Sequence, residues 1–229
     1  MNGDSEPFWV TGLGKQWFES MTPRNRTILL QRLAELYPDP RSELNFDGEF
    51  QLVVAVILSA QCTDKKVNEV TPILFERYPD FSSLGKARLS SIEKIIRPVN
   101  YYVTKSKNLI AMARIVEQEF GGKLPRTHGE LVTLAGVGNK TANVVLSELR
   151  VVPAFPVDTH IKRLANRLGL SAESIPDKVE RDLKNQFPPE TWRNLHHQLI
   201  FHGRRVCGAQ RPRCGECSLN AICPSQNRE

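Results

Sequence analysis

A lysine and an aspartate, each placed where a helix begins, are the residues of this sequence best suited to covalent chemistry. The stretch Leu131-Val132-Thr133-Leu134-Ala135-Gly136-Val137-Gly138-Asn139-Lys140-Thr141-Ala142 predicts a short helix ending at Ala135-Gly136 and a second beginning near Lys140. Gly136 and Gly138 permit backbone dihedrals that other residues resist, so the link between the two helices can be very tight. Such a hairpin aims unpaired backbone N–H groups outward at the head of the second helix, an anion site suited to a nucleic-acid phosphate. Lys140 falls in the first turn of that helix, and Val157-Asp158-Thr159-His160 puts Asp158 at the head of the next. Lysine is a nucleophile only as the neutral amine, which the positive end of a helix dipole and partial burial both favour. A neutral amine can displace a leaving group from a sugar carbon and pass to a Schiff base. A carboxylate held ionised by a helix N-terminus can stabilise the cationic character that develops and help take the amine's proton. Taken singly, an aspartate at a helix start is most often a cap, and a lysine after a glycine turn is usually solvated.

Cysteines form the second constellation. Cys207, Cys214, Cys217 and Cys223 follow the spacing C-x6-C-x2-C-x5-C near the end of the chain. Four thiolates at such intervals can hold a zinc ion or a [4Fe–4S] cluster. Zinc sites usually draw on two close ligand pairs, and here only Cys214 and Cys217 form one. The tail is too short and polar to bury four free thiols, and the crowding argues against a disulfide scaffold. Between the first two cysteines lie Gly208-Ala209-Gln210-Arg211-Pro212-Arg213, with Arg204 and Arg205 just before. A fixed loop of this kind either presents Arg205 and Arg211 to phosphates or is a solvated basic turn. The fifth cysteine, Cys62, reads as a small buried thiol.

The elements that must position these groups are helices. Thr22-Pro23 caps a helix running to about Tyr37-Pro38, and Phe50 to Ala60 is apolar on nearly all sides, hence central. Thr63-Asp64 starts a third helix, Ser82-Ser83 and Ser90-Ser91 precede two short ones, and Thr104 caps one ending at Phe120-Gly121. Thr127 opens the first hairpin helix, and Asp158 opens one that reaches Leu168. Pro176 begins another, and a last helix spans about Glu190 to Gly203. That makes about ten helices with no alternating strand pattern. The fold class expected is all-α. Residues 1–21 are a prelude whose Phe8, Trp9, Trp17 and Phe18 predict partial packing on the body.

Charge and hydropathy narrow the function classes. Net charge is +6 and the isoelectric point about 9.2, which favours a polyanionic partner without requiring one. The most apolar run, Leu52 to Ala60, is too short to cross a bilayer, so no membrane role is expected. Asp4 and Glu6 replace the basic-then-apolar pattern of a secretion signal, which predicts a cytoplasmic protein.

Leu134 to Ala142, Val157-Asp158-Thr159-His160, Leu58-Ser59-Ala60-Gln61-Cys62-Thr63-Asp64 and the cysteine cluster together resemble the helix-hairpin-helix DNA glycosylases, and most closely the endonuclease III family. The resemblance runs from about Asn25 onward with the motifs in the family's order. It implies a six-helix barrel over 42–152, with 1–41 and 153–229 forming a second, cluster-bearing domain, and a DNA-binding cleft between the two that holds Lys140 and Asp158. It also implies a bifunctional DNA glycosylase and AP lyase, monomeric, acting on double-stranded DNA with oxidised pyrimidines or abasic sites. By the same resemblance Lys140 is the Schiff-base nucleophile, Asp158 its carboxylate partner, and Cys207, Cys214, Cys217 and Cys223 the ligands of a [4Fe–4S] cluster. A base inside a duplex cannot reach such residues, so the nucleotide must be flipped out and the gap filled. Gln61 matches the family's gap-filling glutamine, and Tyr101 stands where a wedging leucine is common, although it also suits an ordinary aromatic. Gly136, Gly138 and His160 would meet the DNA backbone. Three departures put lesion preference and DNA affinity in question: Ala135 for the usual proline, Asn139 for the usual basic residue, and Asn100-Tyr101 for the usual Gly-Leu. An adenine-excising relative would carry a carboxylate on the central helix and lack the lysine. A hairpin module that only binds DNA would have no need of both Lys140 and Asp158.

Overall fold

The computed structural model describes residues 19–226, so the aromatics expected to pack in the prelude lie outside the described residues. Among the described residues every regular element is helical, with eleven α-helices and three short 3-10 turns. None of these helices is long and apolar enough to cross a membrane. Among the described residues the chain divides into two compact units, Arg41–Pro156 being one and residues 19–40 with 157–226 the other.

The second of these units begins with α1 (Pro23–Leu36), started as expected by Thr22, whose Oγ1 accepts from the Asn25 amide, and by Pro23 at the first helical position. The Arg41–Pro156 unit is built around α2 (Gly48–Ser59). Leu52 through Leu58 are all buried on this helix, so no face of it is left for solvent. It packs against α3 (Asp64–Arg77), α6 (Tyr102–Phe120) and α8 (Asn139–Glu148). At its head, the Phe50 ring meets Phe75 at 5.9 Å and Phe81 at 5.0 Å, both edge-on. Two short helices, α4 (Phe81–Gly85) and α5 (Leu89–Ile96), pack on α6. The serines expected to precede them sit inside them instead. Asp80 caps α4, and Ser83 completes a capping box with it. An aspartate three residues before a serine outcompetes the serine as cap, because the carboxylate is the stronger acceptor.

The start of α6 differs from expectation for another reason. It begins at Tyr102, not after Thr104, and its N-cap residue Tyr101 lies in the left-handed region at φ 58. The unit closes with the hairpin of α7 (His128–Leu131) and α8.

In the other unit, α9 (Thr159–Arg167) packs on α10 (Pro176–Gln186) and on α11 (Trp192–Arg205), and α1 packs on α11. Its core includes Leu29, Leu33, Ile161, Leu164, Leu195 and Leu199, with Phe187 and Phe201. The last helix starts later than Glu190 because Pro189–Thr191 forms a 3-10 turn first.

Candidate DNA-processing site

The hairpin is positioned by two buried aliphatics on either side of an exposed turn. Leu134 and Val137 are buried, and the Val137 amide donates to the Leu134 carbonyl at 3.0 Å, which closes the turn over Ala135-Gly136. Gly136 sits at φ +81, with the position of a Cβ only 3.0 Å from Cβ of Asn108. Gly138 has φ −93 and no heavy atom within 4 Å of its own Cβ position. As N-cap of α8 it offers no side-chain acceptor, and the first amide to bond back to it is that of Ala142, at 2.9 Å. The preceding amides therefore face outward, as an anion site requires. Gly136→Ala is expected to cost about 1–2 kcal/mol through its left-handed backbone, seen as a fall in Tm. Gly138→Ala is expected to cost only about 0.5 kcal/mol, alanine being the poorer N-cap, and to weaken duplex binding in a titration, because only a ligand would meet the new methyl.

Lys140 is the second residue of α8 and is exposed together with Gly138 and Asn139. The expectation of partial burial is therefore corrected: its surroundings in the fold are a helix start and solvent.

Gln61 and Tyr101 belong to the same unit and are both exposed. Tyr101 is thus no core aromatic. Cys62, expected to be buried, is only half-buried, because the turn after α2 runs along the surface. Two residues that the sequence reading missed hold this region. Lys105 is buried and donates to the carbonyls of Leu58 at 2.8 Å and Ala60 at 2.6 Å. Burial lowers its pKa, and the nearby Cys62 thiol partly opposes that shift. Asn100 Nδ2 donates to the Gln61 carbonyl at 2.7 Å. A lysine in register with the buried Leu109 and Met112 on α6 was the available signal for Lys105.

Asp158 is the N-cap of α9, its Oδ1 accepting from the Ile161 amide at 2.8 Å. It belongs to a different unit from Lys140. His160 is half-buried, with Nδ1 at 3.3 Å from Nη2 of Arg163. Arg163 also donates to the carbonyls of Gly203 and Cys207, each at 3.0 Å. One turn on, Arg167 donates to the Gly208 carbonyl at 2.6 Å and approaches Cys207 Sγ at 3.4 Å. The two arginines pin the start of the cysteine loop to the helix that Asp158 heads. Their four-residue spacing on one helix face was the available sequence signal.

All four clustered cysteines are free and half-buried. Burial pushes the Cys217 and Cys223 thiols up, and the neighbouring cysteines push both further. Among the described residues, however, no three His, Cys, Asp or Glu side chains converge tightly enough for a single metal ion. The four sulfurs are near enough to feel one another electrostatically. His202, whose Nε2 lies 3.4 Å from Cys217 Sγ, is held neutral by burial, which lowers its pKa to about 4. Arg211 stands exposed in the loop in the left-handed region at φ 50. Arg205 stacks its guanidinium 4.7 Å from the Phe201 ring centre, which restricts its reach.

Residues 54–189 match the HhH-GPD superfamily of base excision DNA repair proteins. Endonuclease III of Synechocystis sp. is 45% identical over 200 residues, covering 87% of this chain and 91% of the relative. The chain belongs to the endonuclease III family of HhH-GPD base excision DNA repair proteins. Endonuclease III of Escherichia coli K12 is 37% identical over 203 residues, covering 89% of this chain and 96% of that one. A solved structure of a trapped endonuclease III–DNA covalent intermediate superposes with a TM-score of 0.86 at 38% identity, over 91% of this chain and 98% of that one. A thermostable thymine-DNA glycosylase shares the fold at 21% identity, with a TM-score of 0.81 over 90% of this chain and 98% of that one. As a member of this family the protein is a DNA glycosylase.

Proposed function

We propose that the protein is a bifunctional glycosylase and AP lyase that removes oxidised pyrimidines from duplex DNA and cuts the strand 3′ to the abasic site. The observation that carries this reading is the exposed Lys140 amine at the uncapped head of α8, on a glycine hairpin whose outward amides suit a phosphate. The hairpin holds the DNA backbone, and Lys140 supplies the nucleophile. Its neutral nitrogen bonds to C1′ as the glycosidic bond breaks and the base departs with the electron pair. The sugar ring opens to a Schiff base, a proton leaves C2′, and the 3′ phosphate departs with the C3′–O electron pair. Asp158 stabilises the cationic character at C1′ and takes up the amine's proton. Support for covalent chemistry comes from the relative of known structure that was trapped as a covalent intermediate on DNA. His160 and Arg211 contact phosphates in this reading, and Arg205 contributes through its stacked position.

Cys207, Cys214, Cys217 and Cys223 hold a [4Fe–4S] cluster in this proposal. Four thiols in mutual electrostatic reach, with only Cys214 and Cys217 forming a close pair in the sequence, suit a cluster better than a zinc site built on two pairs. When bound, the cluster supplies structural cross-linking of the loop that carries Arg211, and the reaction steps belong to Lys140 and Asp158.

The test is a duplex carrying one thymine glycol, assayed separately for released base and for strand cleavage. Both products are expected from the unaltered protein. Base release without cleavage would leave a glycosylase alone, and cleavage only of a preformed abasic duplex would refute the oxidised-pyrimidine assignment.

A further inference from the structure

Gln61 and Tyr101 share an unusual state, since both are non-glycine residues in the left-handed region, at φ 53 and φ 58. Both side chains stand in solvent, Tyr101 with 65% of its surface exposed. A side chain in that region costs about 1–2 kcal/mol and persists only where its surroundings over-determine it. Here the surroundings do so from one helix. Lys105, one turn into α6, closes the open carbonyl end of α2 by binding Leu58 O and Ala60 O directly before Gln61. Asn100, directly before Tyr101, donates Nδ2 to the carbonyl of Gln61 itself. A single amide side chain thus joins the turn after α2 to the turn before α6. Asn100 ties the main chain of one exposed tip to the residue directly before the other.

We propose that Asn100 is a positioning residue that couples Gln61 and Tyr101 into one two-pronged wedge for the gap left by a displaced nucleotide. The proposal rests on the duplex-DNA reading above. A phenol ring can stack on an exposed base face, and a primary amide can donate to and accept from the edge of the unpaired base opposite. Prongs held by a common brace enter the duplex together. The brace runs through the Gln61 carbonyl and the Asn100 side chain, which truncating either prong leaves in place, so it acts on DNA only through the prongs it holds. Without the brace each tip relaxes on its own, and the ordering it then needs weakens binding only while a prong is there to be ordered.

The experiment uses the full-length protein and a duplex with a tetrahydrofuran abasic analogue opposite 2-aminopurine, whose fluorescence rises when it is unstacked. No chemistry is needed for this readout. Kd and fluorescence are measured for Gln61→Ala, Tyr101→Ala and the double variant, with Asn100 present and with Asn100→Ala. With Asn100 present, each single change is expected to weaken binding about 5-fold or more, and the double change more than either. With both prongs in place, Asn100→Ala is expected to weaken binding about 5-fold and to shrink the fluorescence rise, whereas in the double variant it changes Kd by less than about 2-fold. No loss from Asn100→Ala while both prongs are present, or an equal loss in the double variant, would overturn the proposal. So would single variants with no effect. Excision of thymine glycol by the unaltered protein is read in parallel, so a wrong lesion assignment shows itself separately.

Discussion

Lys140→Gln abolishes the borohydride-trappable adduct and lowers lesion excision by at least about 10³-fold, with the fold and most of the DNA affinity retained. The size of the effect follows from the role assigned to the amine: it is the atom that bonds to C1′, and a carboxamide cannot replace it. The selectivity of the effect follows from its placement. Lys140 is exposed at the second position of α8, so glutamine removes no packing and keeps a good helix former, and stability should change by no more than about 0.5 kcal/mol. DNA affinity should fall only a few-fold, because the outward amides beside Gly138 do not depend on the side chain. The measurement is trapping on an abasic duplex with the unaltered protein alongside. An adduct that persists in Lys140→Gln would assign the nucleophile to another amine. No adduct from either protein would remove the lyase step altogether.

What could be read from the sequence was whatever a few neighbouring residues decide. Thr22, Thr63, Thr127 and Asp158 each cap a helix by accepting from the amide three positions on, and residue type alone announces that. The hairpin was legible for the same reason, since Gly136 and Gly138 mark a tight turn within one short stretch. The head of α6 was not legible, because its left-handed Tyr101 adjoins an Asn100 bound to Gln61, 39 positions away in the chain. Thr104 looks like a cap only while that distant carbonyl is out of view. Lys105 and the pair Arg163 and Arg167 were missed on similar grounds. They satisfy main-chain carbonyls 40 or more positions away, and a carbonyl left open by the fold carries no mark in the sequence. The half-buried Cys62 and the exposed Lys140 are the converse case. Local chemistry suggested burial for each, and burial is decided by which elements arrive from elsewhere.

Asp158→Asn separates the two jobs this residue holds, and that separation makes it the sharper of the catalytic tests. The Asp158 carboxylate caps α9 by accepting from the Ile161 amide. An asparagine oxygen can accept the same bond, and asparagine ranks with aspartate as an N-cap. Stability should therefore stay within a few tenths of a kcal/mol of the unaltered protein. Charge is the only property lost, so any fall in excision measures what the negative charge contributes at C1′ and in proton uptake. That fall is expected to be about 10²–10³-fold in single-turnover rate at saturating protein. Asp158→Ala removes the cap as well and should cost about 1 kcal/mol of stability in addition, with a rate no lower than that of the asparagine variant. The comparison excludes the simplest alternative, in which Asp158 only holds the helix. If capping were its whole function, asparagine would restore full activity and alanine alone would be impaired.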